Sequence, residues 1–126
     1  MGYINFKYFF DTYAFIEFIN GNEKYKNYFK NSNIITTKLC LTEMFYILLK
    51  DFDLETARKY FKEFRPFCIE IPDVIIESAM IFRLKNKDKD LSYVDCIGYE
   101  LSKFNNLKFL TGDSKFKNMR NVEYVK

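Results

Sequence analysis

Four carboxylates in this sequence stand where a chemical site could be built. Asp11 follows the apolar run Tyr8-Phe9-Phe10, Glu43 lies in a long apolar helical stretch, Asp95 comes in the first turn of another, and Asp113 is two residues past Phe109-Leu110-Thr111. The chain has no histidine. That removes imidazole as base or ligand, excludes Ser/His/Asp and Cys/His nucleophilic schemes and most zinc sites, and leaves carboxylates to carry any catalysis. Clustered carboxylate oxygens suit Mg²⁺ or Mn²⁺, ions that polarise a phosphate and generate a hydroxide nucleophile near neutral pH.

Three of the four also have ordinary structural uses. Asp11 is placed to cap the helix that follows it, and Asp113 in Gly112-Asp113-Ser114 is a common turn residue. Ser92-Tyr93-Val94-Asp95 matches a capping box. Glu43 differs, because between Leu39 and Leu49 only Thr42 and Glu43 are polar, and Leu39, Cys40, Tyr46 and Ile47 beside it are apolar. Its side is read as a core face with no Lys or Arg at helical spacing. A carboxylate there needs a counter-charge, either a bound cation or a partner from a distant segment.

The elements that must position these residues alternate. The pattern predicts a strand at 8–10 with a helix at 12–19, broken by Asn20-Gly21-Asn22, then a strand at 34–36 and a helix at 38–50 capped by Thr37. An apolar stripe through Leu54, Ala57, Tyr60, Phe61 and Phe64 predicts a further helix. Residues 67–71 alternate as a strand, and a helix opens after Pro72 and runs to about Lys87. The charged run 85–90 reads as a solvated loop, 91–104 as a helix, and 108–111 and 122–125 as strands. Strands separated by helices predict an α/β fold, with a central, mostly parallel sheet of about five strands flanked by helices. Residues just past the carboxyl ends of such strands gather at one edge, where ligands bind.

With 126 residues the chain is expected to form one domain, 1–126. Its 15 Phe and 10 Tyr supply ample core. The net charge of +3 permits a polyanionic partner without demanding one. Cys40, Cys68 and Cys96 offer no disulfide framework, so the simplest expectation is a reducing cytoplasm. Residues 1–7 carry no targeting pattern and no apolar run approaches a membrane span, so no membrane attachment is expected.

Taken in order, Phe9-Phe10-Asp11-Thr12, Thr42-Glu43 in an apolar helix, Leu91-Ser92-Tyr93-Val94-Asp95, and Phe109-Leu110-Thr111-Gly112-Asp113 followed by Phe116 resemble the signatures of PIN-domain ribonucleases. By its size the chain is similar to the VapC toxins of toxin–antitoxin pairs. The resemblance implies a PIN-like three-layer sandwich that binds one or two Mg²⁺ or Mn²⁺ ions and cleaves RNA with an activated water. It further implies Asp11, Glu43, Asp95 and Asp113 as metal ligands, with Ser92 and Thr111 as supporting residues that orient them. A homodimer and a cognate antitoxin partner are implied too. Tyr13 stands where many relatives have a small polar residue.

RNA needs positive charge beside an acidic cleft. Lys115, Lys117 and Arg120 follow Asp113 and are the candidate substrate contacts, against a plain reading as a solvated basic loop. Most aromatics must be core, and Tyr13, beside Asp11, is the candidate for stacking on a base. Two other classes compete: a non-catalytic PIN-like module that binds RNA or protein, and a receiver-like phosphoacceptor domain. Asp11 lacks the acidic sequence neighbour the receiver would require.

Overall fold

A computed structural model describes residues 8–126; residues 1–7, on which the absence of a targeting pattern was read, lie outside the described part. Its strands are β1 (Tyr8–Phe10), β2 (Ile34–Ile35), β3 (Lys108–Thr111) and β4 (Val122–Tyr124). The helices are α1 (Thr12–Ile19), α2 (Glu23–Asn31), α3 (Lys38–Asp51), α4 (Leu54–Phe64), α5 (Asp73–Lys85) and α6 (Tyr93–Phe104). The strands form one sheet in the order β2-β1-β3-β4, every pairing parallel.

Alternation along the strands builds the layers. Phe9 and Phe109 are paired in register and point to one face, where they pack with Ile75 and Ala79 of α5 and Cys96, Ile97, Tyr99 and Leu101 of α6. Phe10 and Leu110, the next pair, point to the other face, against α1, α2, α3 and α4 through Ala14, Phe15, Tyr25, Leu41, Met44, Leu48, Ala57 and Phe64. All four sheet side chains are fully buried. This is the expected sandwich of a parallel sheet between two helical layers.

Two features depart from the sequence reading. Residues 67–71 do not form a strand: Thr36 and Cys68 make a single parallel bridge, so among the described residues the sheet has four strands rather than about five. The bridge is held by Thr36 N–H donating to the Phe67 carbonyl at 3.1 Å and Ile69 N–H donating to that of Thr36 at 2.9 Å. The neighbouring β2 is only two residues long, and Pro66 and Pro72 bound the segment, so no longer ladder extends from it. The second departure is α2, absent from the reading because its composition is polar. Its signal was Tyr25, Tyr28 and Phe29 at helical spacing behind Asn22, whose side chain accepts from Lys24 N–H at 3.0 Å.

The helix caps follow local chemistry. Thr37 accepts from Cys40 N–H at 3.2 Å to start α3, and Asp53 accepts from Thr56 N–H at 2.7 Å to start α4. Gly98 in α6 lets that helix ride close over the sheet: a Cβ there would stand 3.0 Å from the Phe9 ring and 3.1 Å from that of Phe109. Among the described residues no helix is long and apolar enough to cross a membrane.

Candidate functional site

Asp11 leaves β1 at its carboxyl end and Asp113 lies just past the carboxyl end of β3, so the parallel pairing of these neighbours sets both acids at one edge of the sheet. Glu43 is in the second turn of α3, and Asp95 is in the first turn of α6.

Asp11 is the most constrained. It is only 3% exposed and, although it occupies the N-cap position of α1, its side chain makes no capping bond. Its Oδ2 accepts instead from the Thr111 hydroxyl at 2.9 Å, while its Oδ1 is buried without a partner among the described residues. Burial, reinforced by the negative charge of Asp95, pushes its carboxyl up to about 8 against the opposing Thr111 hydrogen bond. The ordinary capping use of Asp11 is therefore not what holds it.

Each of the other acids is likewise tied to the protein. Glu43 Oε1 accepts from the Thr12 hydroxyl at 2.7 Å. Asp95 Oδ2 accepts from Ser92 N–H and Ser92 Oγ from Asp95 N–H, both at 3.0 Å, the reciprocal pair of a capping box. Asp113 Oδ1 accepts from Lys115 N–H at 3.0 Å. So the capping and turn readings of Asp95 and Asp113 hold for one oxygen of each. Among the described residues these bonds engage Oδ2, Oε1, Oδ2 and Oδ1 of Asp11, Glu43, Asp95 and Asp113, leaving the second oxygen of each free of them.

The acids feel one another. Burial raises the Glu43 carboxyl, helped by Asp95, and burial raises that of Asp95, helped by Asp113 and opposed by the Ser92 bonds and the Lys115 ammonium. Even so, among the described residues no three acidic or thiol side chains stand close enough to enclose an ion as they are. The donor set is nonetheless all oxygen, and Asp11 Oδ1 is a buried acceptor with nothing to accept from, so the residues present fit a hard divalent cation.

Glu43 sits otherwise than its sequence neighbours suggested. Tyr46, one turn on, is 66% exposed, so Glu43 marks the border of the buried face of α3 rather than its middle. Its distant partner, Thr12, lies in the signature after Asp11 and was not among the supporting residues read from the sequence. Thr111 holds Asp11, and its Oγ1 also accepts from Asp113 N–H at 3.2 Å. Ser92 fixes Asp95.

The three basic residues part company. Lys115 stays near the acids, its ammonium donating to the Asp90 carbonyl at 2.9 Å. Lys117 lies over the Tyr124 ring, 5.9 Å from its centroid. Arg120 is not brought to the carboxylates: it precedes Asn121, whose carbonyl accepts from Phe109 N–H at 2.9 Å near the start of β3, and it lines a cavity with Tyr99, Lys103 and Asn121. The strand length separates that edge from Asp113. Tyr13 is not a free platform either, since its ring packs over Gly112 and against Tyr25, with centroids 6.1 Å apart.

A parallel sheet between helical layers, with acids gathered past the ends of β1 and β3, defines an α/β protein with an acidic site at the carboxyl edge of its sheet. The chain belongs to the PIN domain family, whose model matches residues 8–122. No curated protein matches it. Among solved structures it is similar to VapC20 of Mycobacterium tuberculosis, described as a sarcin-ricin loop cleaving toxin, with a TM-score of 0.80 and 14% identity over 95% of this chain and 99% of that one. A toxin–antitoxin complex from Klebsiella pneumoniae gives 0.73 and 19%, covering 93% of this chain and 96% of that one. VapBC2 of Rickettsia felis, bound to a DNA fragment from the promoter, gives 0.73 and 19% over 94% and 98%. At these identities the likeness is one of fold.

Proposed function

We propose that this protein is a divalent-metal-dependent endoribonuclease, the toxin of a toxin–antitoxin pair, with Asp11, Glu43, Asp95 and Asp113 as its metal-holding and catalytic residues. The observation that carries the reading is Asp11 Oδ1, buried and without a partner among the described residues, on a carboxyl that feels the negative charges of Asp95 and Glu43. Membership of the PIN family and likeness in fold to a toxin described as cleaving the sarcin-ricin loop support it.

Mg²⁺ or Mn²⁺, as one or two ions, would supply charge to polarise a scissile phosphate and to activate water. The protein's own part is positional. Thr111 holds Asp11 by one oxygen, Thr12 holds Glu43, and Ser92 holds Asp95, so each carboxylate presents its other oxygen without having to order it first. Asp113 is held by the turn it caps, and Lys115 brings positive charge to this edge, where a phosphate must approach carboxylates.

A cognate antitoxin partner is supported by the assemblies seen for the Klebsiella and Rickettsia relatives in fold. Self-association into a homodimer is supported by the apolar outer side of α5, where Val74, Ile76, Ile81 and Leu84 are exposed. The three free thiols support a reducing cytoplasm as its place of action.

The test is cleavage of single-stranded RNA with Mg²⁺ or Mn²⁺. The purified chain is expected to cut, to stop on chelation, and to lose at least a hundredfold in rate in Asp11→Asn and Asp95→Asn, on the order of the losses seen when catalytic groups are removed. Cleavage that persists in those variants with chelator present would sink the proposal, and no cleavage by the unaltered chain would favour a non-catalytic binding module.

A further inference from the structure

Helix α3 carries a row of side chains that the acidic site does not use. Lys38, Thr42, Tyr46 and Lys50 follow one another at intervals of four and are all exposed, so they form one ridge along the helix. Over twelve residues it extends roughly 18 Å. It carries a cation at each end and an aromatic ring, 66% exposed, between them.

The ridge runs into the acidic site. Thr42, Glu43, Tyr46 and Ile47 line one open cavity of about 410 Å³, so Tyr46 and Glu43 border the same space. At the start of the ridge Lys38 shares a second cavity, of about 160 Å³, with Arg65, adding another cation beside the single acid Glu70. At its far end Lys50 lies 3.9 Å from Asp51, both exposed, a separation that leaves the ammonium open to solvent.

Cations spaced along a track with an aromatic ring between them are what a single nucleic-acid strand requires: phosphates meet the ammonium groups and a base stacks on the ring. We propose that the Lys38–Thr42–Tyr46–Lys50 ridge is a track for single-stranded RNA, its lysines meeting phosphates and Tyr46 stacking a base where the strand enters the acidic site. This rests on the ribonuclease reading, names the form of its substrate, and makes Tyr46 a binding residue rather than a catalytic one.

The experiment is binding of a fluorescein-labelled single-stranded oligoribonucleotide to the full chain, read by anisotropy in the Asp95→Asn background so that the strand stays intact. Tyr46→Ala is expected to weaken binding by about tenfold, within the roughly 5- to 150-fold that loss of one stacked base brings. Lys38→Ala with Lys50→Ala is expected to lower the slope of log K against log salt by about 1.4, the contribution of two phosphates on a single strand. Because the chain has no tryptophan, Tyr46→Trp supplies a unique emission that RNA should quench while affinity is kept. In the otherwise unaltered chain, Tyr46→Ala should raise KM and leave kcat within about threefold. Unchanged affinity and salt slope, with no quenching, would overturn the track even if the protein cuts RNA. Ridge-dependent binding by a chain that never cuts would keep the track and remove the nuclease.

Discussion

Thr12 shows how closely the acids depend on neutral neighbours. Its hydroxyl is the donor that the structure gives Glu43, at 2.7 Å, and it is nearly buried. Replacing it with valine keeps the shape and removes the bond. Thr12→Val is expected to cut the rate of metal-dependent RNA cleavage by about 10- to 100-fold, the usual cost of losing a group that orients a ligand, with the melting temperature checked alongside to separate orientation from stability. Asp11 carries a second consequence, which is visible in pH. An aspartate in the unfolded chain ionises near its ordinary value of about 3.9, whereas folded Asp11 keeps its proton up to about 8. Between those values the folded state binds the extra proton, so the stability of the metal-free protein should fall as pH rises from about 4 to 8 and level off above. Glu43 and Asp95, both raised, act in the same direction. Thermal melts of metal-free protein across that range should show the decline, and Asp11→Asn should flatten most of it.

At the scale of elements the glycines report where helices and strands approach most closely. Gly112, between Thr111 and Asp113, lies against the chain's C-terminal segment: a Cβ would fall 2.3 Å from the Val125 carbonyl and 2.4 Å from the Tyr13 ring. Val125 is itself pinned, its N–H donating to the Thr111 carbonyl at 2.9 Å and its carbonyl accepting from the buried Tyr25 hydroxyl at 2.6 Å. Because backbone cannot give way there, Gly112→Ala is expected to destabilise the protein by about 1–3 kcal/mol, as overpacking does, and to lower activity through Asp113; chemical denaturation and cleavage rates measure both. This contact was not legible in the sequence, where Gly112-Asp113 reads simply as a turn, because Val125 and Tyr25 come from distant segments. What local chemistry could encode was legible: Thr37 before α3, the Ser92–Asp95 box, and the apolar triplets of β1 and β3. The strand expected at 67–71 failed because alternation says nothing about whether a neighbouring strand is long enough to pair with it. Helix α2 was missed because Lys, Asn and Glu make up most of its nine residues and leave only Tyr25, Tyr28 and Phe29 to mark its inner side.

For the molecule as a whole, the parallel sheet explains why residues separated by up to about a hundred positions meet. Asp11 and Thr111 lie on adjacent strands, and their bond crosses that separation directly. The order of the signatures along the chain was therefore a better guide than any one of them, since three of the four acids have an ordinary use when taken alone, and for Asp95 and Asp113 that use is real. Placement of the basic residues was less legible: Lys115, Lys117 and Arg120 are near in sequence, yet the connection to β4, which runs parallel to β3, returns the chain along the sheet before that strand begins, and Arg120 ends at the opposite edge from Lys115. The central claim is that the four acids are one metal site, and it is tested most directly by the melting temperature of the metal-free chain titrated with Mn²⁺. A saturating rise is expected, corresponding to roughly 2.7 kcal/mol when free ion is a hundred times Kd, and it should be lost in Asp11→Asn and in Glu43→Gln. No rise in the unaltered chain, or the same rise in both variants, would contradict the account.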